Sequence, residues 1–369
     1  MNASSSDFDV GGLLAVRLVG ATPQDVRAVE ARLGSPRRIS GRTPDITVRF
    51  DAPTGPTGAV RRIGREALYG DDSFVVTSSN GRRLRIAFDE LGGPIDLRAD
   101  RAAAFLPLLV PLLNLSMLNK GVIPIHGVGF GLGERGIVGT GWSGAGKTAL
   151  LLAALREGGV LLAAESVYLS PAGDAMIGLP EPVRIRARHL DEDRSLAGRM
   201  RAGDRARVTA VALAARVAGA AARRNSVAAQ LAAALERQAF VDVAPRLLRS
   251  DATPAVRTPA MRPSVVLLLV SAGDRTRRVR LEPIAPSEAA DRIATLMQAE
   301  SLELVRHYLR FRFAFPDRRS ELLESATERL RLGLREALRR TETYLLSQPW
   351  PPRVADLRHV VADLGGAGR

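Results

Sequence analysis

The eight residues Gly141-Trp142-Ser143-Gly144-Ala145-Gly146-Lys147-Thr148 constrain this chain more than any other stretch, because they spell G-x-x-x-x-G-K-[ST] directly after an apolar run at 136–140. From Lys147 to residue 156 the sequence continues as a helix that is apolar on nearly every side, as a helix buried against a sheet must be. Strand, glycine loop and helix in that order form the setting in which such a loop wraps phosphate. Glycine lets the backbone approach closely, so the N–H groups of 141–146 can converge on phosphate oxygens while the helix adds its positive end. An α/β fold is expected around this unit.

Lysine usage sharpens the reading. Of 53 basic residues only Lys120 and Lys147 are lysines. A compact ammonium on a flexible stem reaches between phosphates in a way a planar guanidinium does not, and lysine stands at that position. Lys147 is therefore expected at the β- and γ-phosphates of a nucleotide triphosphate such as ATP. The Thr148 hydroxyl is expected on Mg²⁺.

A formal net charge of +14 raises the question of nucleic acid or anionic membrane. The charge is spread along the chain, aromatics make up only 4%, and no basic run is interleaved with stacking residues, so nucleic acid is disfavoured. The densest basic stretch, 194–224, is Ala-rich and helical in character and could also dock an acidic partner. The absence of cysteine excludes disulfides and thiolate metal sites. The acidic, Ser-rich start lacks the pattern of a secretory signal. The most apolar stretch, 102–118, is short and interrupted by Pro107 and Pro111, which argues for a buried helix or pair of turns over a membrane span. A cytoplasmic protein is expected, with a homo-oligomer left open.

Periodicity divides the chain into three parts. Residues 1–98 read as a small α/β accessory domain, with apolar runs at 13–19, 46–50, 74–77 and 84–88 and a helix over 23–33. Residues 99–285 read as the core bearing the loop, interrupted at about 190–260 by an Arg- and Ala-rich helical insertion with a Pro-containing linker over 251–263. Residues 286–369 read as a C-terminal helical region, with helices over 287–310 and 317–346.

Four further side chains are candidates for the site. Glu165 follows the apolar run 159–163, near the carboxyl end of a strand beside the loop, and could hold Mg²⁺ directly or through water. His126 lies in the strand preceding the loop strand, placed to bring an imidazole near the terminal phosphate. Arg184 and Arg186 alternate along an extended segment and could clamp phosphate or acceptor, or simply be solvated.

With these residues in hand, the stretch 123–186 resembles the catalytic domain of HPr serine kinase/phosphorylase and related bacterial kinases, which share a phosphate-loop core with PEP carboxykinase. The resemblance is carried by Ile125-His126-Gly127-Val128, by the loop itself, and by Leu161-Leu162-Ala163-Ala164-Glu165-Ser166-Val167. It implies an ATP- and Mg²⁺-dependent phosphotransferase acting on a hydroxyl of a protein, peptide or small molecule. His126, Lys147 and Glu165 would be catalytic, the loop would bind nucleotide, and Thr148 and Glu165 would hold the metal. One departure matters: the family usually carries two adjacent acids where this chain has Ala164-Glu165, and the first is the presumed base. A nucleotide-binding regulatory or scaffold protein with little transfer is the alternative. An ATPase or GTPase switch is weaker, since no N-K-x-D signature is present.

Overall fold

The computed structural model describes residues 5–37, 39, 41–56, 58–64, 67–77, 81–179, 181–222, 226–248, 260–271 and 278–366. Most of the linker expected over 251–263 lies outside the described residues. The fold is mixed α/β, built on two eight-stranded mixed sheets.

The first sheet is made by β1 (Ser5–Val10), β2 (Leu14–Val19), β3 (Ile46–Arg49), β4 (Val60–Arg62), β5 (Ala67–Gly70), β6 (Ser73–Thr77), β7 (Arg83–Ala87) and β8 (Ile95–Ala99), in the order 1-2-3-8-7-6-5-4. The β2, β3 and β8 strands run parallel, and α1 (Pro23–Leu33) makes the crossover from β2 to β3. Its start is set locally: Pro23 opens the helix, and Thr22 and Asp25 cap each other reciprocally.

From this sheet the chain enters α2 (Ala102–Asn119), one continuous helix that carries both Pro107 and Pro111. Its apolarity on all sides has a structural cause. Leu108, Leu109, Leu112 and Leu113 belong to the core under the first sheet, whereas Leu118 belongs to the core of the second.

The second sheet contains β9 (Ile123–Leu132), β10 (Arg135–Thr140), β11 (Val160–Ala163), β12 (Ser166–Leu169), β13 (Met176–Gly178), β16 (Pro263–Ser271), β17 (Arg280–Pro283) and β18 (Glu342–Gln348); β14 (Val183–Arg186) and β15 (Phe240–Val243) form a separate hairpin-like pair. At its centre β10, β16 and β18 are parallel, with β9 antiparallel on the other side of β10. On its face lies α3 (Lys147–Arg156), with Ala149 to Ala154 all buried. Between β14 and β15 the chain forms α4 (Ala187–Glu192), α5 (Arg194–Arg199), α6 (Ala202–Ala222) and α7 (Ser226–Gln238), which is the expected helical insertion.

The C-terminal part departs from expectation. It supplies α8 (Pro286–Glu300), α9 (Leu302–Ala314), α10 (Glu321–Ala337) and α11 (Val354–Gly366), but the helix expected over 317–346 ends at Ala337. Residues Glu342–Gln348 form β18, paired along its length with β16 and bordered by β17. The run Thr343-Tyr344-Leu345-Leu346 was ambiguous between helix and strand, and the vacant edge of β16 decides for strand. Nor is this part a separate helical region. α11 packs on α3, and Leu304, Tyr308 and Phe311 of α9 complete the core of the N-terminal sheet. Among the described residues no helix is long and apolar enough to cross a membrane.

Candidate functional site

Thr140 closes β10 as a buried residue, its hydroxyl donating to the His126 carbonyl at 2.7 Å, which ties the two central strands together just where the loop begins. The chain then turns through the loop and enters α3 at Lys147. Gly146, the residue before the helix, has φ of 100°, and a Cβ there would stand 2.4 Å from the Gln348 amide nitrogen and 2.8 Å from Pro352. Only glycine fits. The loop is held from below by Gln348, buried at the end of β18, whose amide donates to the Ala145 carbonyl. The first turn of α3 consequently points amide donors without intrahelical acceptors at the space above the loop.

That space is a cleft of about 280 Å³. It brings together, from distant parts of the chain, most of the residues that the sequence singled out: His126, Ser143, Gly144, Gly146, Lys147 and Thr148 line it. Glu165, Arg184 and Arg186 form the rest of the wall. Gly141 and Trp142 face a different, apolar cavity of about 230 Å³ on the far side of the loop, with Leu269 and Ile293. Ala145 is buried beneath the loop.

Lys147 folds back on the loop, donating to the Gly141 carbonyl and, at 3.4 Å, to that of Trp142. Burial pulls its ammonium down to about 8, against the opposing pull of Glu300 and Glu165. His126 comes from β9, its ring 3.7 Å from the Glu300 carboxylate. Burial, reinforced by the charges of Lys147 and Arg184, pushes it down to about 3, so the imidazole is neutral. Glu165 is placed by the backbone: its carbonyl accepts from the Gly127 N–H at 2.9 Å, which brings the turn after β11 beside His126. Its carboxylate lies 3.4 Å from the Arg184 guanidinium, which also lies 5.1 Å above the Phe240 ring. Arg186 lines the cleft but donates to the Glu236 carbonyl of α7 at 2.8 Å, so part of its capacity is used in holding the insertion.

Several cleft residues carried no sequence signal. Glu300 is the last residue of α8, a polar end of an amphipathic helix, and it reaches the site only because α8 crosses it. Burial raises its carboxyl above the usual range, and Glu165 adds to that while Lys147 opposes it. Gln348, which supports the loop from beneath, lies just past the helix expected over 317–346 and carried no motif of its own. Arg188 and His189, on the short α4, complete the wall. Ala164 also lines the cleft and is buried, so no carboxylate stands where the first acid of the resembling kinases would.

Among the described residues no group of three or more His, Asp or Glu side chains could hold an ion. Thr148 and Glu165 each bring an oxygen to the cleft wall and are the side chains that could contribute to holding a small cation.

His189 gives the site a pH signature. It is buried, its Nδ1 accepts from the Arg186 N–H at 3.2 Å, and burial followed by the charges of Arg188 and Arg186 pushes it from 6.5 to about 3. The unfolded chain therefore takes up this proton first as pH falls. The contribution is full above 6.5 and is lost progressively down to about 3, amounting to about 2 kcal/mol by pH 5. His189→Asn keeps an acceptor near the Arg186 amide and removes the titration. Denaturant unfolding at pH 7 and pH 5 should show a shallower loss of stability in this variant; His126 contributes in the same direction, so the dependence is reduced and not abolished.

Compared with known proteins, the sequence matches no protein-family model and no curated protein at a significant level.

Proposed function

We propose that the chain is an ATP- and Mg²⁺-dependent phosphotransferase, of the class that HPr serine kinase represents, acting on a hydroxyl. One observation carries the reading: His126, Lys147, Thr148 and Glu165, spread over 40 residues, line one cleft at the mouth of a glycine loop. In this reading a bound magnesium nucleotide supplies the phosphoryl group. Lys147 and the first-turn amides of α3 hold its phosphates, Thr148 and Glu165 hold the cation, and neutral His126 donates or accepts a hydrogen bond without adding charge. As the acceptor oxygen bonds to the terminal phosphorus, the bridging P–O bond breaks and the hydroxyl proton leaves. Glu165 and Glu300 are the cleft carboxylates available to take it.

The second reading, a nucleotide-binding regulator with little transfer, is favoured by Ala164 alone. Ala164→Asp separates the two. If the missing acid limits transfer, the variant should turn over labelled ATP about tenfold faster or more, since a positioned base contributes at least that much. Unaltered turnover, with no phosphorylated product from any lysate fraction, would support the regulator.

A further inference from the structure

Behind the shared wall of His126, Glu165, Arg184 and Glu300 lies a second cavity of about 200 Å³, and its far side belongs to the N-terminal part of the chain. Arg32 of α1 and Val110 and Asn114 of α2 roof it, so the first sheet and its helices close over the core at this point. One residue in it is out of keeping with its surroundings. Glu181, just before β14, is 1% exposed, yet its Oε2 has no hydrogen-bond partner among the described residues. Its other contacts are incomplete: Ser166 bonds it from β12, and the Arg32 guanidinium stays at 3.9 Å.

An unpartnered carboxylate oxygen so deeply buried is costly unless a ligand satisfies it. We propose that this cavity is the acceptor site, and that it takes a small hydroxyl compound carrying a further hydrogen-bond donor, an amine or a second hydroxyl, which Glu181 receives. The proposal rests on the phosphotransferase reading of the adjoining cleft. Three features define the ligand. The volume suits a metabolite and not a protein segment, and the roof of α1 and α2 stands where a folded partner would have to approach. Carboxylates outnumber cations around the cavity, since Glu303 joins the three glutamates already named against Arg32 and Arg184, and Arg184 is taken up by Glu165. The site therefore selects against anionic hydroxy acids. Finally, sharing His126 and Glu165 with the nucleotide cleft puts an acceptor hydroxyl on the side of the loop where a terminal phosphate would lie.

The test uses the full chain with MgATP and follows ADP release in the presence of ethanolamine, glucosamine, glucose or glycerate. An amine or neutral polyol should stimulate release at least about tenfold over water, with amine against polyol deciding which donor Glu181 receives. Glu181→Gln should raise the KM for that compound at least about tenfold, since one partner of the buried contact is altered. Val110→Phe, which fills the cavity from the roof without touching Glu181, should remove the stimulation while the heat of MgATP binding stays unchanged. Stimulation by glycerate alone, stimulation that survives both variants, or no stimulation by any compound while MgATP still binds would overturn the acceptor site and leave the nucleotide reading intact. Absence of MgATP heat in the wild-type chain would overturn both.

Discussion

Lys147→Ala is expected to remove measurable binding of magnesium nucleotide triphosphate, a loss of at least about 100-fold, and any phosphoryl transfer with it. The ammonium is the one cation rooted in the loop itself, and it donates to the carbonyls of Gly141 and Trp142 while Glu300 and Glu165 attract it from a distance. Those carbonyls are strong but uncharged acceptors and cannot match anionic phosphate oxygens, so a triphosphate gains an ion-pair contact that no other side chain of the loop supplies. Lys147→Arg should fail nearly as badly, because a planar fork does not follow the path of a flexible point charge between phosphates. The fold itself should not suffer. Burial already draws the lysine down to about 8, which means the folded state carries a cost for its charge, and alanine relieves it. Isothermal calorimetry with MgATP beside a thermal melt reads both effects. Undiminished heat in the alanine variant would refute the phosphate-binding role, and a melt far below wild type would mean that the lysine is structural.

What could be read from the residues divides along local and non-local lines. The glycine loop and its flanking strand and helix were legible because each part sits next to the other in sequence, and so was α1, whose Pro23 and Thr22–Asp25 capping are contiguous. The character of α2 was legible too, since apolarity on every side demands two partners, although nothing local said that they would be two different sheets. β1 was not foreseen. Its alternation is confined to Asp7-Phe8-Asp9-Val10, too short within an acidic, Ser-rich start to stand out, and it becomes a strand by pairing with β2, where Asp7 meets Arg17 at 2.7 Å. The same limit hid part of the cleft and of its support. Glu300 reaches the cleft from α8, and Gln348 of β18 supports the loop from beneath; both lie far along the chain, and no window around either residue contains the loop it serves. Glu181 was passed over for another reason: a glutamate between prolines reads as a surface turn, and only its burial beneath α1 and α2 makes it conspicuous.

Phe311→Ala should destabilise the protein by about 3–5 kcal/mol, an effect out of proportion to its place in a helix far along the chain from the first sheet. The ring is fully buried, stacked 4.2 Å from Phe88, the residue just after β7, and tilted 6.3 Å from Phe74 of β6. Around it Tyr308 stacks on Phe88 at 6.0 Å, and Tyr69 shares a hydrogen bond of 3.3 Å with His307. This aromatic group is what fastens α9 to the first sheet, and α9 follows directly on α8, whose last residue is the cleft's Glu300. Deleting the ring leaves a cavity between elements also tied by polar contacts such as that of Arg61 to the Ala314 carbonyl at 2.8 Å, so the surroundings collapse only partly to fill it. Phe313, two positions along the same helix, is 82% exposed, and its alanine variant should change stability by no more than about 0.5 kcal/mol. Chemical denaturation of the pair decides whether α9 belongs to the N-terminal core: comparable small losses in both would make it a peripheral helix. A large loss confined to Phe311 would instead mean that the first sheet is locked to α9, the helix that follows directly on Glu300. The roof over the Glu181 cavity is then a fixed part of the fold, held in register with the cleft above the glycine loop by residues roughly two hundred positions apart in the sequence.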